Sequence, residues 1–164
     1  EHLAYLQQVG VVRVHAVPDG ASVTVDGLKV TPFRLAEDYV YAFLVEQDTT
    51  RVLIAPDELH GWLPPAWLGE LDLAILPMGM CVHDPFTGER RIAEDHPLLK
   101  EEASFVATLD VVRALRAKRV VLSHIEEPDG LGHGQLALLA ERYRTEGLPI
   151  SFAYDMMRID VVRA

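Results

Sequence analysis

Val52-Leu53-Ile54-Ala55-Pro56-Asp57 is an apolar run that halts on a proline and a carboxylate. Two other runs end in the same way: Phe33-Arg34-Leu35-Ala36-Glu37-Asp38, and Val120-Val121-Leu122-Ser123-His124. A strand fixes its Cα positions, and a side chain just past its end projects beyond the core, so strand ends make good platforms for chemistry. Carboxylate with imidazole is a donor set that suits Zn²⁺, Mn²⁺ or Fe. Each residue also has an ordinary reading. Asp57 fits a helix N-cap before Glu58, His124 a structural histidine at a strand exit, and Glu37 and Asp38 solvated loop acids.

The sequence before and after these runs sets the fold class. Val11–Val17 is β-branched and reads as a strand. Ser22–Val25 and Leu28–Thr31 flank Asp26-Gly27, a two-residue hairpin signal. Tyr39–Glu46 and Arg51–Ala55 flank a polar turn and form a second hairpin. Trp62–Leu68 holds two prolines and allows at most a short helix. Leu71–Leu76 is nearly continuous in apolar residues, as in a strand buried on both faces.

The period then changes. Lys100–Ala117 carries Phe105, Leu109, Val112 and Leu115 at helical spacing, with Glu101 and Glu102 near its start and Arg116 and Lys118 near its end, as the helix dipole favours. Arg119–Leu122 reads as a strand, Gly134–Glu146 as an amphipathic helix stopped by Gly147, and Pro149–Tyr154 and Met157–Val162 as closing strands. Hairpins followed by strand–helix–strand units predict an α+β domain, with helices packed on a mixed sheet.

Composition narrows the class. The chain has 164 residues, 49% of them hydrophobic and 24% charged, which is the profile of a globular protein rather than a disordered one. No apolar run reaches the roughly 20 residues needed to cross a bilayer, and no signal-peptide pattern opens the chain. The net charge of −10 argues against strong nucleic-acid binding. Cys81 is the single cysteine, which rules out an internal disulfide and fits a reducing cytoplasm. Its apolar surroundings favour a buried inert thiol over a nucleophile. The opening Glu1-His2-Leu3, without an initiator Met, suggests a fragment or a processed chain.

Taken in order, Thr31-Pro32-Phe33-Arg34-Leu35-Ala36-Glu37, Tyr41-Ala42-Phe43-Leu44-Val45-Glu46, the Val52–Asp57 run, Leu71-Asp72-Leu73-Ala74-Ile75-Leu76 and Val121-Leu122-Ser123-His124-Ile125 resemble successive blocks of the metallo-β-lactamase superfamily. The likeness is greatest to its phosphodiesterase-like branch. Phe152-Ala153-Tyr154-Asp155 with Arg158-Ile159-Asp160 resembles that branch's terminal strand pair. The resemblance implies the C-terminal half of a metallo-β-lactamase-type αββα sandwich, a mixed sheet with helices on one face, occupying residues 1–164 as one partial domain.

The resemblance also implies a metal site. Asp57 matches the carboxylate that bridges two metals, and His124 matches the last histidine ligand. Glu37 stands where the family places another histidine, a departure that favours a harder metal such as Mn²⁺; Asp38 is the alternative if the alignment slips by one. The family's HxHxDH motif is absent, since His2 and His15 each lack a partner two residues away. The missing ligands are expected from an N-terminal half, whether a separate chain, a segment removed by proteolysis, or a second copy in a homodimer. An uncovered sheet would expose an apolar face, which normally binds a partner.

Between the Leu71 strand and the long helix, His83–His96 is long enough to be a functional loop. By the resemblance, His96, backed by Asp95, is a candidate general acid at the leaving group. Arg90 and Arg91 are candidates for contact with an anionic substrate. His133, in Gly130-Leu131-Gly132-His133-Gly134, is a candidate substrate contact or a helix cap; His60 is a candidate for the site mouth or for packing. The glycines lack dinucleotide-binding order, and Ser123 lacks a nucleophile elbow.

The resulting expectation is a metal-dependent hydrolase of a small phosphodiester-type substrate, using two divalent ions with Zn²⁺ foremost. The competing expectation, from another class, is a partner-dependent module that binds no metal on its own.

Overall fold

The computed structural model describes residues 2–126 and 129–161. A seven-stranded sheet is its centre. Strands β1 (Val23–Val25), β2 (Leu28–Arg34), β3 (Tyr41–Gln47) and β4 (Thr50–Ile54) form an antiparallel meander. Asp26 and Gly27 make the first turn with φ of 50° and 83°, the paired positive values that a type I′ hairpin demands. The second turn is as tight, since Gln47 pairs with Thr50.

From β4 onward the sheet is parallel. Strand β5 (Glu70–Leu71) leaves it to pair with β7 (Arg116–Ala117) in a two-stranded ribbon. Strands β6 (Leu73–Pro77), β8 (Val120–Ser123) and β9 (Ile150–Phe152) join β4 in the order β1-β2-β3-β4-β6-β8-β9. The helices α2 (Phe105–Ala114) and α3 (His133–Thr145) connect β6 to β8 and β8 to β9. Each crossover moves one strand further in the same direction, so right-handed connections place both helices on one face. Phe105 of α2 accordingly meets both Tyr143 of α3 and Phe152 of β9, at ring-centroid distances of 5.8 and 6.4 Å.

Strand alternation then separates two faces. The register aligns Leu44, Leu53, Ala74, Val120 and Ile150 in one row, and all five are buried in the core under the helices. The opposite face carries the row Val30, Val45, Val52 and Leu73, with Pro32, Phe43, Ile54, Ile75 and Val121 in the next. Leu73 and Val121 are buried, while the others keep part of their apolar surface exposed.

Three expectations are corrected. Residues 11–17 pair with no strand among the described residues; Val11 and Val14 are exposed, and the Val14 amide donates instead to Gln7 Oε1. Those residues follow an exposed helix α1 (His2–Gln8) that the sequence did not suggest. Residues 157–161 are likewise not a strand, and the Asp160 carbonyl accepts from Arg119 Nη1; Val162, the end of that expected strand, lies outside the described residues. The long helix begins at Phe105 rather than Lys100, because Ser104 caps it by accepting from the Ala107 amide. Glu101 and Glu102 precede it, after a 3₁₀ turn at Pro97–Lys100. Among the described residues, no helix is long and apolar enough to cross a membrane.

Candidate functional site

Because β2 and β4 are both antiparallel to β3, and β6, β8 and β9 are parallel to β4, all five strands end at one edge of the sheet. The carboxyl ends of parallel strands are where open α/β sheets bind ligands. A cleft of about 190 Å³ opens there. Asp57 and Glu58 enter it after β4, Pro77 and Gly79 from the end of β6, His124 and Glu126 after β8, and Glu101 and Glu102 from the approach to α2.

His124 is the pivot. Its φ of 52° turns the chain sharply at the end of β8, a left-handed conformation uncommon for residues other than glycine. The imidazole lies between two carboxylates, with Nδ1 3.8 Å from Asp57 Oδ1 and Nε2 3.3 Å from Glu126 Oε1. Asp57 and His124 are both well exposed to the cleft, so neither is committed to the core.

The other acids divide by what they hold. Glu58 accepts from the amides of Leu59 and His60 and from that of Ala103 at 2.8 Å, tying the β4 exit to the approach to α2. Buried Asp129 accepts from the amides of Cys81 and Glu126 at 2.9 and 3.2 Å. Glu102 has its carboxyl pKa raised, first by burial and then by the charges of Glu126, Glu58 and Asp57. With six carboxylates and one imidazole, the lining is strongly negative. Burial pushes the Cys81 thiol up to about 12, which removes it as a nucleophile near neutral pH.

The remaining sequence candidates sit elsewhere. Glu37 lies in the turn after β2, where its carbonyl accepts from the Val40 amide, and Tyr39 from that turn reaches the cleft instead. Asp38 pairs with Arg34 at 3.3 Å. Exposed His96 precedes the Pro97–Lys100 turn and does not line the cleft. Arg90 donates to the Ile92 carbonyl and pairs with Glu94, while Arg91 is held by the Asp84 carboxylate and the Asp129 carbonyl. His133 opens α3 and meets Tyr154 edge-on at 6.2 Å. The His60 amide donates to Glu58, and Ser123 Oγ donates to the Leu76 carbonyl at 3.2 Å.

The sequence alone does not single out Glu58, Glu101, Glu102, Glu126 or Asp129 as part of a site. Glu58 and Glu126 had a signal, lying one and two residues beyond Asp57 and His124. Glu101 and Glu102 read as acids favoured by the helix dipole, and Asp129 offers no local signal.

The donor chemistry of Asp57 and His124 suits a divalent ion, but two donors do not enclose one. Among the described residues, no three His, Cys, Asp or Glu side chains converge in a way that could hold a metal. A complete metal site therefore needs ligands that these residues do not supply.

No protein-family model and no curated protein matches the sequence. Solved structures do share its fold. CmlA, a diiron beta-hydroxylase from Streptomyces venezuelae, superposes with a TM-score of 0.57 at 14% identity, over 92% of this chain and 35% of its own. Igni18, a metallo hydrolase from the archaeon Ignicoccus hospitalis, has a TM-score of 0.56 at 16% identity, over 93% of this chain and 61% of its own. A diphosphatase of the PhnP family has a TM-score of 0.57 at 16% identity, over 96% of this chain and 53% of its own. The chain thus has the metallo-β-lactamase-type fold found in metallo-hydrolases, and it spans between 35% and 61% of the length of these three structures. That a hydroxylase shares the fold means the reaction must be argued from the site.

Proposed function

We propose that the cleft is one part of a hydrolytic metal centre, to which this chain contributes Asp57 and His124. The observation that carries the reading is the approach of Asp57 to His124 Nδ1 in an open cleft, at the ends of β4 and β8. The fold shared with metallo-hydrolases supports it. The remaining ligands come from the other part of the sandwich, whose sheet covers the face bearing Val30, Val45 and Val52. That part is an N-terminal half or, in a homodimer, a second copy.

Two divalent ions, with Zn²⁺ ahead of Mn²⁺ or Fe, would supply Lewis acidity and a water acidic enough to ionise near neutral pH. The chain's own residues position this chemistry. The ends of β4 and β8 set the separation of the two ligands, and Glu126 orients the imidazole from its far nitrogen. Glu58 and Asp129 hold the surrounding loops through backbone amides. A phosphodiester-type substrate follows from the phosphodiesterase-like pattern of the strand ends. Such an anion enters a lining of six carboxylates only after the metal charge has offset it, so substrate binding is strictly metal-dependent. Glu37, His96, Arg90, Arg91 and His133 line no part of the cleft, and the reading gives them no role in it. The single buried thiol suits the reducing cytoplasm.

Metal analysis of the intact protein tests the reading. About two equivalents of metal are expected per assembled site. Asp57→Ala and His124→Ala should each lower affinity by at least about tenfold, while the fold persists because both side chains are exposed. Unchanged uptake in both variants would sink the assignment. The second reading, a module that binds no metal, is favoured by the absence of a three-donor cluster among the described residues; it prevails if the assembled protein stays metal-free.

A further inference from the structure

A second cavity, of about 450 Å³, lies over the Leu44-bearing face of the meander, along Lys29, Thr31 and Phe33 of β2, Leu44 and Glu46 of β3 and Arg51 of β4. Its floor is Phe33 and Leu44, both buried core residues. One wall is Trp67, 54% exposed despite its size, standing perpendicular to Phe33 at 5.0 Å. Arg51 fixes this wall by donating through Nη1 to the carbonyls of Leu68 and Glu70, on either side of Gly69. An exposed indole anchored over an apolar floor is a surface that a flat ring can cover.

The polar rim has spare donors and few spare acceptors. Glu46 already accepts from Lys29 through Oε2 at 2.9 Å and from Arg51 through Oε1 at 3.1 Å. Two cations therefore face one carboxylate, and the rim carries a net positive charge in a protein of net charge −10. The Lys29 ammonium uses one of its three protons on Glu46, and its side chain is 56% exposed. Ser22 and Thr31 share one hydrogen bond of 2.7 Å, which consumes only one of their two hydroxyl protons. These unused protons ask for an acceptor with negative charge. The volume is that of a site for a small organic molecule.

We propose that this cavity binds a flat, apolar molecule bearing a carboxylate, with its ring against Trp67 and Phe33 and its carboxylate at Lys29 and the Ser22–Thr31 hydroxyls. The site is separate from the acidic cleft and does not depend on a metal there.

The test is a titration of the ¹⁵N-labelled chain with indole-3-acetate, followed by chemical-shift mapping. A parallel titration uses 3-(2-hydroxyethyl)indole, which replaces the carboxylate with a neutral alcohol. The amides of Ser22, Lys29 and Thr31 and the Trp67 indole N–H should shift together and saturate. The neutral ligand should bind about tenfold more weakly, as should indole-3-acetate to Lys29→Met. Trp67→Ala should abolish binding of both ligands. Thr31→Val serves as a second rim variant, expected to weaken only the carboxylate, should Lys29→Met fail to fold. Equal binding of the two ligands overturns the anionic assignment. Absent shifts, or shifts confined to the Val45–Val52 face or to the Asp57 cleft, overturn the site. Metal uptake measured in parallel on Trp67→Ala should be unchanged, so that failure here is distinct from failure of the metal centre.

Discussion

Asp84 holds the loop that precedes α2. Its Oδ1 accepts from the amides of Phe86 and Thr87 at 2.8 and 2.9 Å, and its other oxygen takes the Arg91 guanidinium. Those two amides first, and then Arg91, lower the carboxyl from 3.8 to about 2. A depressed carboxyl stabilises the folded state above its unfolded pKa, and that contribution disappears as the pH falls through the folded value. The amides of residues 84–91 should therefore lose hydrogen-exchange protection between about pH 4 and pH 2. Asp84→Asn should lack this step and be less protected at neutral pH; a step of equal size in the variant would refute the role. The same contacts explain why Arg91, a candidate contact for an anionic substrate in the sequence, lies outside the cleft. Its partners are a carboxylate seven residues away and a carbonyl 38 residues away, and only the first is within reach of a local reading.

At the scale of elements, the junction of β6 with α2 depends on Gly79. Its φ is +77°, and a Cβ there would lie 2.8 Å from the Ala103 carbonyl oxygen and 2.9 Å from Thr108 Oγ1. Both the backbone angle and the space exclude a side chain, so Gly79→Ala should destabilise the fold by about 1–3 kcal/mol in urea unfolding. An unchanged midpoint would show that the junction is slack. The elements that could be read in the sequence were those specified locally. Asp26-Gly27 marked its hairpin, and the Gly147 stop marked the end of α3. The start of α2 was misplaced because Glu101 and Glu102 fit the dipole rule, although Ser104 was a better cap. Residues 11–17 have a strand's composition, but a strand also needs a partner, and pairing is a property of the rest of the fold. Likewise, Asp57 and His124 were legible as candidates for the cleft because each follows the end of a strand. The carboxylates around them were not, since three crossovers assemble that edge.

For the molecule as a whole, the decisive surface is the sheet face that the helices do not cover. Val45 and Val52 are cross-strand partners on it and keep exposed apolar surface. Val45→Lys with Val52→Lys should leave the helix-side core intact. It should weaken association with the other half, or with a second copy, by about a hundredfold or more, because an unpaired charge buried at an interface costs several kcal/mol. Light scattering after size exclusion, with circular dichroism as the folding control, reads this directly. Undiminished association would place the partner elsewhere. The order of the sheet also bears on synthesis. The meander β1–β4 closes through neighbouring residues and completes by Ile54, whereas α2 and α3 follow only after residue 104. Until α2 and α3 have been made, a formed meander leaves Leu44 and Leu53 without the helices that later bury them. Chaperone protection of that face matters most before α2 and α3 emerge from the ribosome.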